Sequence, residues 1–195
     1  MNDLPTSFNK EPDMITVTHR FSDHQPNQET EILIIGSFNP AVTKENKEVD
    51  FFYGRNRNFL WKLLPTAFRE LDLKDAPKQE KLEFMGKYKI DFIDLIAEIK
   101  VETGQEANYH DSYIDNKVTR WKDIIKVIDN LPNLKKVCFT RKTFNDIPKM
   151  KNQLVAIRKK CDNKKIYFQP MITPARYYND QKQTEWTNFL TNGSR

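Results

Sequence analysis

The chain has 195 residues, of which 38% are hydrophobic and 12% aromatic, and its net charge is +5. This length fits one globular domain, and the aromatic content is too high for a disordered chain. No apolar run approaches the roughly 20 residues that a membrane helix needs, so a membrane protein is not expected. The first residues lack the basic start and apolar core of a secretory signal, which predicts a cytoplasmic location.

The residues that usually hold metals and cofactors are sparse. The two cysteines, Cys138 and Cys161, belong to no C-x-x-C spacing, and the three histidines, His19, His24 and His110, lie far apart in sequence. Five glycines form neither a G-x-G-x-x-G fingerprint nor a phosphate-binding P-loop. We therefore expect no metal and no cofactor.

The first half of the chain begins with a segment that has no convincing periodicity. We predict that residues 1–28 form an arm packed on a single domain that spans residues 29–195. A short apolar run predicts a strand over residues 31–38. Asn58 is expected to cap a short helix that Pro65 ends or kinks, and a second helix is predicted over residues 77–88.

The second half alternates between strand and helix patterns. The segment KIDFIDLIAEIK, residues 89–100, mixes two periods, so strand and helix both stay open there. Residues 118–131 have apolar side chains at three- and four-residue intervals, which predicts an amphipathic helix. The remaining predictions are strands over 134–140 and 165–171 and helices over 149–160 and 184–190. This alternation predicts a three-layer α/β/α fold with a central, mostly parallel sheet.

Three of the predicted strands run into polar or conformationally special residues. GSFNP occupies residues 36–40, TRK residues 140–142 and TPAR residues 173–176. We expect Gly36 and Ser37 to let the chain turn tightly at the end of the first of these strands. Ligands of open parallel sheets bind outside the carboxyl ends of the strands. If these strands are neighbours in the sheet, their ends converge into one site.

These motifs, in this order, resemble the uracil-DNA glycosylase superfamily, most closely its mismatch-specific uracil and hypoxanthine-DNA glycosylase branches. The resemblance begins with a His-x-Phe at His19 and Phe21, continues through GSFNP, and includes the aromatic, Asn and Trp of residues 53–61. ITPAR at residues 172–176 is similar to the family's carboxyl-terminal turn. The chain departs from the family pattern because it lacks a His-Pro pair after the aromatic.

The resemblance implies a monofunctional DNA N-glycosylase of base excision repair that hydrolyses the bond between sugar and a deaminated base, uracil or hypoxanthine. Asn39 would be the catalytic residue that orients a water, and Tyr53 would stack on the flipped base. The implied base pocket comprises Gly36, Ser37, Phe38, Tyr53 and Thr140. The implied DNA contacts are Pro40, Arg55, Asn58, Arg141, Thr173, Pro174 and Arg176. The expected partner is duplex DNA with a damaged or mismatched base, or single-stranded DNA, bound by a monomer without a metal or cofactor.

Two other classes of function stay open on the sequence. The missing His-Pro and the presence of Thr140, where relatives often have Asn, favour a nucleic-acid-binding module of the same fold that does not cut. A regulatory or structural α/β protein would carry its positive charge for unrelated reasons. The sequence also leaves open which side chain would fill the gap left by a flipped base, that of Arg176, Tyr177 or Tyr178.

Overall fold

The computed structural model describes residues 13–40 and 51–192. The strands are β1 (Met14–Thr18), β2 (Ile32–Gly36), β3 (Ile90–Asp94), β4 (Ile96–Glu102), β5 (Val118–Trp121), β6 (Lys136–Phe139) and β7 (Tyr167–Pro170). The helices are α1 (Leu60–Ala67), α2 (Lys78–Tyr88), α3 (Asp111–Ile114), α4 (Ile124–Asp129), α5 (Pro148–Asn163) and α6 (Asp180–Thr191). Within the described ranges, no helix is both long and apolar enough to cross a membrane.

The central sheet contains four parallel strands in the order β3-β2-β6-β7. Side chains of β2 alternate between its two faces, as the pleat requires. Leu33 and Ile35 pack into a core with residues of α4 and α5, whereas Ile32 and Ile34 pack into a second core with residues of α1 and α6. Helices therefore cover both faces, and the predicted three-layer α/β/α fold is confirmed.

A second sheet of three antiparallel strands, in the order β1-β4-β5, was not predicted. The undecided segment 89–100 supplies one strand to each sheet, because β3 ends at Asp94 and β4 begins at Ile96. All five residues of β3 are buried, so it lacks the alternation that would reveal a half-exposed strand. β1 lies inside the predicted arm, whose first twelve residues are outside the described part of the chain.

The helix predicted over residues 118–131 is wrong in its first half. Residues Val118–Trp121 form β5, which pairs with β4, and only Ile124–Asp129 are helical. The three-residue spacing of Val118 and Trp121 suits one face of a helix, but strand pairing overrides this local preference. The Asp123 side chain accepts a hydrogen bond from the Lys126 N–H at 3.0 Å and so fixes where α4 starts.

The helix predicted after Asn58 is present, but it does not end at Pro65. α1 continues through Pro65 to Ala67. The Asn58 Oδ1 accepts a hydrogen bond from the Leu60 N–H at 3.0 Å, which satisfies one of the free donors at the start of this helix.

Candidate active site

A cavity of about 1320 Å³ opens where the four parallel strands end. Gly36, Asp94 and Thr140 line it from the ends of β2, β3 and β6, and residues 172–176 line it from the end of β7. Because β2, β6 and β7 are neighbours in the sheet, the three polar strand ends do converge as predicted. Of the predicted site residues, Pro40 alone does not line this cavity. It directly follows Asn39 in the chain and is buried.

At the floor of the cavity, Asp94 joins two predicted residues into one hydrogen-bonded group. Its Oδ2 lies 2.6 Å from the His19 Nε2 and 2.7 Å from the Asn39 Nδ2. Both His19 and Asp94 are almost completely buried, each with 2% of its surface exposed. The sequence placed Asn39 in the site and matched His19 only to the family's His-x-Phe, and it missed Asp94, the residue that links them.

The partners of this group settle where its protons lie. The His19 Nδ1 accepts a hydrogen bond from the Phe21 N–H at 3.0 Å, so the ring proton resides on Nε2 and is donated to Asp94. A carboxylate only accepts, so the Asn39 side chain presents its NH₂ to Asp94 and turns its carbonyl oxygen away. No described residue donates to this carbonyl oxygen, which leaves it available at the cavity.

Position 36 requires a glycine because two side chains lie close to its backbone. A Cβ on Gly36 would lie 2.1 Å from the Asp94 Oδ1 and 2.7 Å from the Tyr53 hydroxyl oxygen. We expected this glycine to permit a tight turn, but its φ is not in the left-handed region. Among the described glycines, Gly104 alone has a φ in that region. The absent side chain instead lets Asp94 and Tyr53 approach the end of β2.

Tyr53 has an unusual backbone and a hydroxyl without a described hydrogen-bond partner. Its φ is +56°, a region that costs a non-glycine residue energy and that is often found at functional sites. The hydroxyl is buried, and no described group meets hydrogen-bond geometry with it, although the Thr140 hydroxyl is near. Burial, and then the charge of Asp94, raise the pKa of Tyr53 well above its usual value, so the phenol stays neutral.

Two of the predicted DNA-contacting arginines have protein partners. The Arg55 guanidinium lies 3.8 Å from the centroid of the Tyr109 ring, and its burial lowers the pKa of Arg55. Arg141 forms ion pairs with Asp111, at 3.1 Å, and with Asp146. These pairs hold the residues at the cavity wall and reduce the charge that Arg141 presents to a ligand.

The turn after β7 is tied to the loop before α1. The Arg176 N–H donates to the Arg57 carbonyl at 2.7 Å, and the Phe59 N–H donates to the Pro174 carbonyl at 3.0 Å. Within the turn, the Thr173 hydroxyl accepts a hydrogen bond from the Ala175 N–H at 3.3 Å. The side chains of Arg57 and Arg176 are exposed and form no ion pair with any described residue.

A buried lysine supports this turn from below. Lys182, with 1% of its surface exposed, donates to the carbonyl oxygens of Ala175 at 2.8 Å and Tyr177 at 2.9 Å. Burial lowers the pKa of Lys182, with a smaller contribution from the nearby Arg176 charge. The turn that carries Thr173, Pro174 and Arg176 is therefore held by a side chain that the sequence did not single out.

The side chains that line the cavity carry a net positive charge, and the described ones form no cluster suited to a metal. Among the described lining residues, seven lysines and arginines face four aspartates. No group of three or more His, Cys, Asp or Glu side chains with metal-binding geometry occurs in residues 13–40 and 51–192. The arrangement can bind an anionic ligand at the rim and place a carboxylate, an amide and a phenol around its inner end.

Comparisons with known proteins support the fold. No family model and no curated protein matches the chain. A solution NMR structure from Methanosarcina acetivorans, of a protein provisionally named a uracil DNA glycosylase, matches with a TM-score of 0.57 and 20% sequence identity. The match covers 84% of this chain and 91% of the archaeal one. At this identity, the similarity shows that the two proteins share a uracil-DNA-glycosylase-like α/β fold.

Proposed function

We propose that this protein is a DNA glycosylase that hydrolyses the N-glycosidic bond of a deaminated base, uracil or hypoxanthine. The observation that carries the proposal is the Asp94–Asn39 pair at the floor of a cation-lined cavity, with its 2.7 Å hydrogen bond and an amide oxygen to which no described residue donates. The uracil-DNA-glycosylase-like fold agrees with it.

Cleavage of a glycosidic bond passes through a sugar with oxocarbenium-ion character, so the site must stabilise positive charge and position a water. The Asn39 carbonyl oxygen would serve both purposes, since it can accept a hydrogen bond from the water and face the cation with its negative end. Asp94 fixes the direction of this dipole by holding the NH₂ end. Preorganised dipoles of this kind provide a large part of many enzymes' rate enhancement.

Asp94 would strengthen Asn39 electrostatically as well as orient it. A hydrogen bond to a carboxylate polarises the amide and moves electron density toward its carbonyl oxygen. The charge of the buried carboxylate also favours a cation nearby. His19 contributes by donating to the same Asp94 oxygen, which keeps the carboxylate in one orientation.

The flipped base would enter beside Tyr53 and Thr140. Extruding a base from a duplex costs a few kcal/mol, and stacking on an aromatic ring returns about 1 to 3 kcal/mol per base. The buried Tyr53 hydroxyl has no described partner, and a polar atom of the base would satisfy it after a movement of the surrounding side chains. Gly36, Ser37 and Phe38 would form the adjoining wall, which their position at the end of β2 supports.

Phosphates flanking the flipped nucleotide would bind at the rim. Arg57 and Arg176 lie on two segments joined by a backbone hydrogen bond of 2.7 Å, and both side chains are exposed. Thr173 and Pro174 belong to the same turn. Such contacts position a nucleic acid without reading its sequence.

The experiment is a panel of oligonucleotides that contain uracil, a thymine mismatch, hypoxanthine or xanthine, in single-stranded and duplex form. Incubation with a high concentration of the protein followed by alkali should produce strand breaks at the modified base in at least one substrate. The free base should be detected by mass spectrometry in the same reaction. An absence of breaks and of free base across the panel would contradict the proposal.

The matched control is Asn39→Ala. Because Asn39 touches the reacting groups, its loss should lower single-turnover cleavage by about 100-fold or more, while the affinity for an abasic oligonucleotide stays within about threefold. If the wild-type protein binds such DNA but releases no base, the alternative function, a non-catalytic nucleic-acid-binding module, replaces the enzyme.

A further inference from the structure

Tyr109 forms an aromatic surface at the cavity that the proposed chemistry does not use. It lies in the connection between β4 and α3, belongs to neither hydrophobic core, and is 52% exposed although it lines the cavity. The Arg55 guanidinium lies 3.8 Å from its ring centroid, and the His110 ring lies nearly parallel to it, 5.5 Å away at an interplanar angle of 21°.

Arg55 supports this surface. Burial lowers the pKa of Arg55, the nearby Arg20 charge adds to this effect, and Tyr109 opposes it. Burying a guanidinium costs free energy unless other groups compensate, and the face of the Tyr109 ring, 3.8 Å from the guanidinium, does so here. Tyr109 is therefore held against Arg55, which lines the same cavity.

Hydrogen bonds hold the connection in this conformation before any ligand binds. The Asn108 Nδ2 donates to the Gln105 Oε1 at 3.1 Å, and the Asn108 Oδ1 accepts from the His110 N–H at 3.1 Å. The next residue, Asp111, pairs with Arg141 at 3.1 Å. A preorganised aromatic ring loses little conformational entropy on binding.

We propose that Tyr109 is a stacking platform for an unpaired base next to the flipped nucleotide, so that the preferred partner is single-stranded nucleic acid. This inference rests on the proposed function. A half-exposed tyrosine ring backed by an arginine stacks on any base, because every base has a π-face. The cationic lining, in which lysines and arginines outnumber aspartates seven to four among the described residues, would hold the backbone of the same strand.

The test uses single-stranded oligonucleotides with a neutral abasic analogue and 2-aminopurine at one of the flanking positions. Stacking on an aromatic ring quenches 2-aminopurine fluorescence, so binding of the wild-type protein should quench the probe strongly at one flanking position. Tyr109→Leu should abolish this quenching and weaken binding about tenfold, which is the loss expected for one stacked base. Tyr109→Phe, which keeps the ring, should retain both.

Tyr167→Leu is the matched control, because Tyr167 is a comparably exposed tyrosine (43%) at the start of β7, at the opposite end of the strand from the cavity. It should leave quenching and affinity unchanged. A duplex with the same analogue should bind more weakly than the single strand and lose less affinity in Tyr109→Leu.

Two failures are distinguishable. If the wild-type protein binds no oligonucleotide, the proposed function fails and the platform fails with it. If the wild-type protein binds but Tyr109→Leu changes neither quenching nor affinity, or weakens duplex binding as much as single-strand binding, the platform alone is refuted.

Discussion

At the floor of the cavity the polar groups are buried and bound to one another, whereas at the rim they are exposed and held by the backbone. The His19 Nε2 and the Asn39 Nδ2 both donate to one carboxylate oxygen of Asp94, at distances of 2.6 and 2.7 Å. At the rim, Arg57 and Arg176 are exposed, and their backbones are joined by a hydrogen bond. Under the proposed function, this difference predicts that the floor determines the rate of base release and that the rim determines the affinity for DNA.

Apart from Asn39→Ala, the largest effect is expected from Gly36→Ala, because the new Cβ would lie 2.1 Å from the Asp94 Oδ1. Asp94 would have to move, and Asn39 with it. A displacement of about 1 Å at reacting groups lowers turnover about 100-fold, and overpacking lowers the free energy of unfolding by about 1 to 3 kcal/mol. Single-turnover kinetics and denaturant unfolding measure the two effects.

Gly86→Ala is the control for this substitution. Gly86 lies in α2, and a Cβ there would meet nothing within 4 Å. Alanine should raise the free energy of unfolding by about 0.5 to 1 kcal/mol because glycine is a poor helix former. Equal turnover in the two variants would contradict the role given to the space beside Gly36.

An intermediate effect is expected from Tyr53→Phe, which separates stability from activity. The substitution removes a buried hydroxyl that has no described partner, so the free energy of unfolding should stay the same or rise by about 1 kcal/mol. Turnover should fall about tenfold, because the base would lose its hydrogen bond to this hydroxyl. Tyr113→Phe is the control, because the Tyr113 hydroxyl donates to Glu102 and its removal should lower stability without changing turnover.

The pH dependence expected of Tyr53 follows from the direction of its pKa shift. The folded-state pKa is raised well above the unfolded value of about 10, so the neutral phenol is the form in the folded protein. The unfolded chain releases this proton first as pH rises, so stability is lost above about pH 10 in the wild-type protein. In Tyr53→Phe this loss should be smaller when unfolding is followed between about pH 9 and 11.

The smallest effect is expected from the rim. Arg57→Ala and Arg176→Ala should each weaken binding a few-fold and reduce the slope of log affinity against log salt by the value for one phosphate contact, about 0.9 in duplex DNA and about 0.7 in single-stranded DNA. Single-turnover cleavage at saturating protein should not change. Arg158→Ala, which removes an exposed charge on α5 away from the cavity, should leave affinity and slope unaltered. A loss of turnover in the rim variants would remove the distinction between floor and rim.

Sequence patterns were informative where local chemistry determines structure. The apolar run before Gly36 and the polar ends of three strands predicted the parallel sheet and the place of the cavity, since both follow from short-range pattern and strand order. They failed for residues 118–121, where pairing with β4 decides the conformation. They also failed for Asp94, because its pairing with Asn39 depends on the fold and β3 has no exposed face to reveal it.

The role of Gly36 shows the same limit. Glycine after a strand suggested a turn, yet the glycine is needed because Asp94, 58 positions along the chain, and Tyr53 both approach it. Lys182 likewise drew no prediction from the sequence, and only the fold places it beneath the turn at residues 173–177. Long-range contacts of this kind cannot be read from spacing alone.

The central claim is that Asp94 and Asn39 stabilise positive charge on the sugar. It is tested most directly by comparing the affinity for two oligonucleotides, one with a neutral tetrahydrofuran abasic analogue and one with a cationic pyrrolidine in its place. The account predicts that the wild-type protein binds the cationic analogue at least about 100-fold more tightly, as expected for a mimic of the transition state. Asp94→Asn and Asn39→Ala should each lose most of this preference. Equal affinity of the wild-type protein for the two analogues would contradict the account.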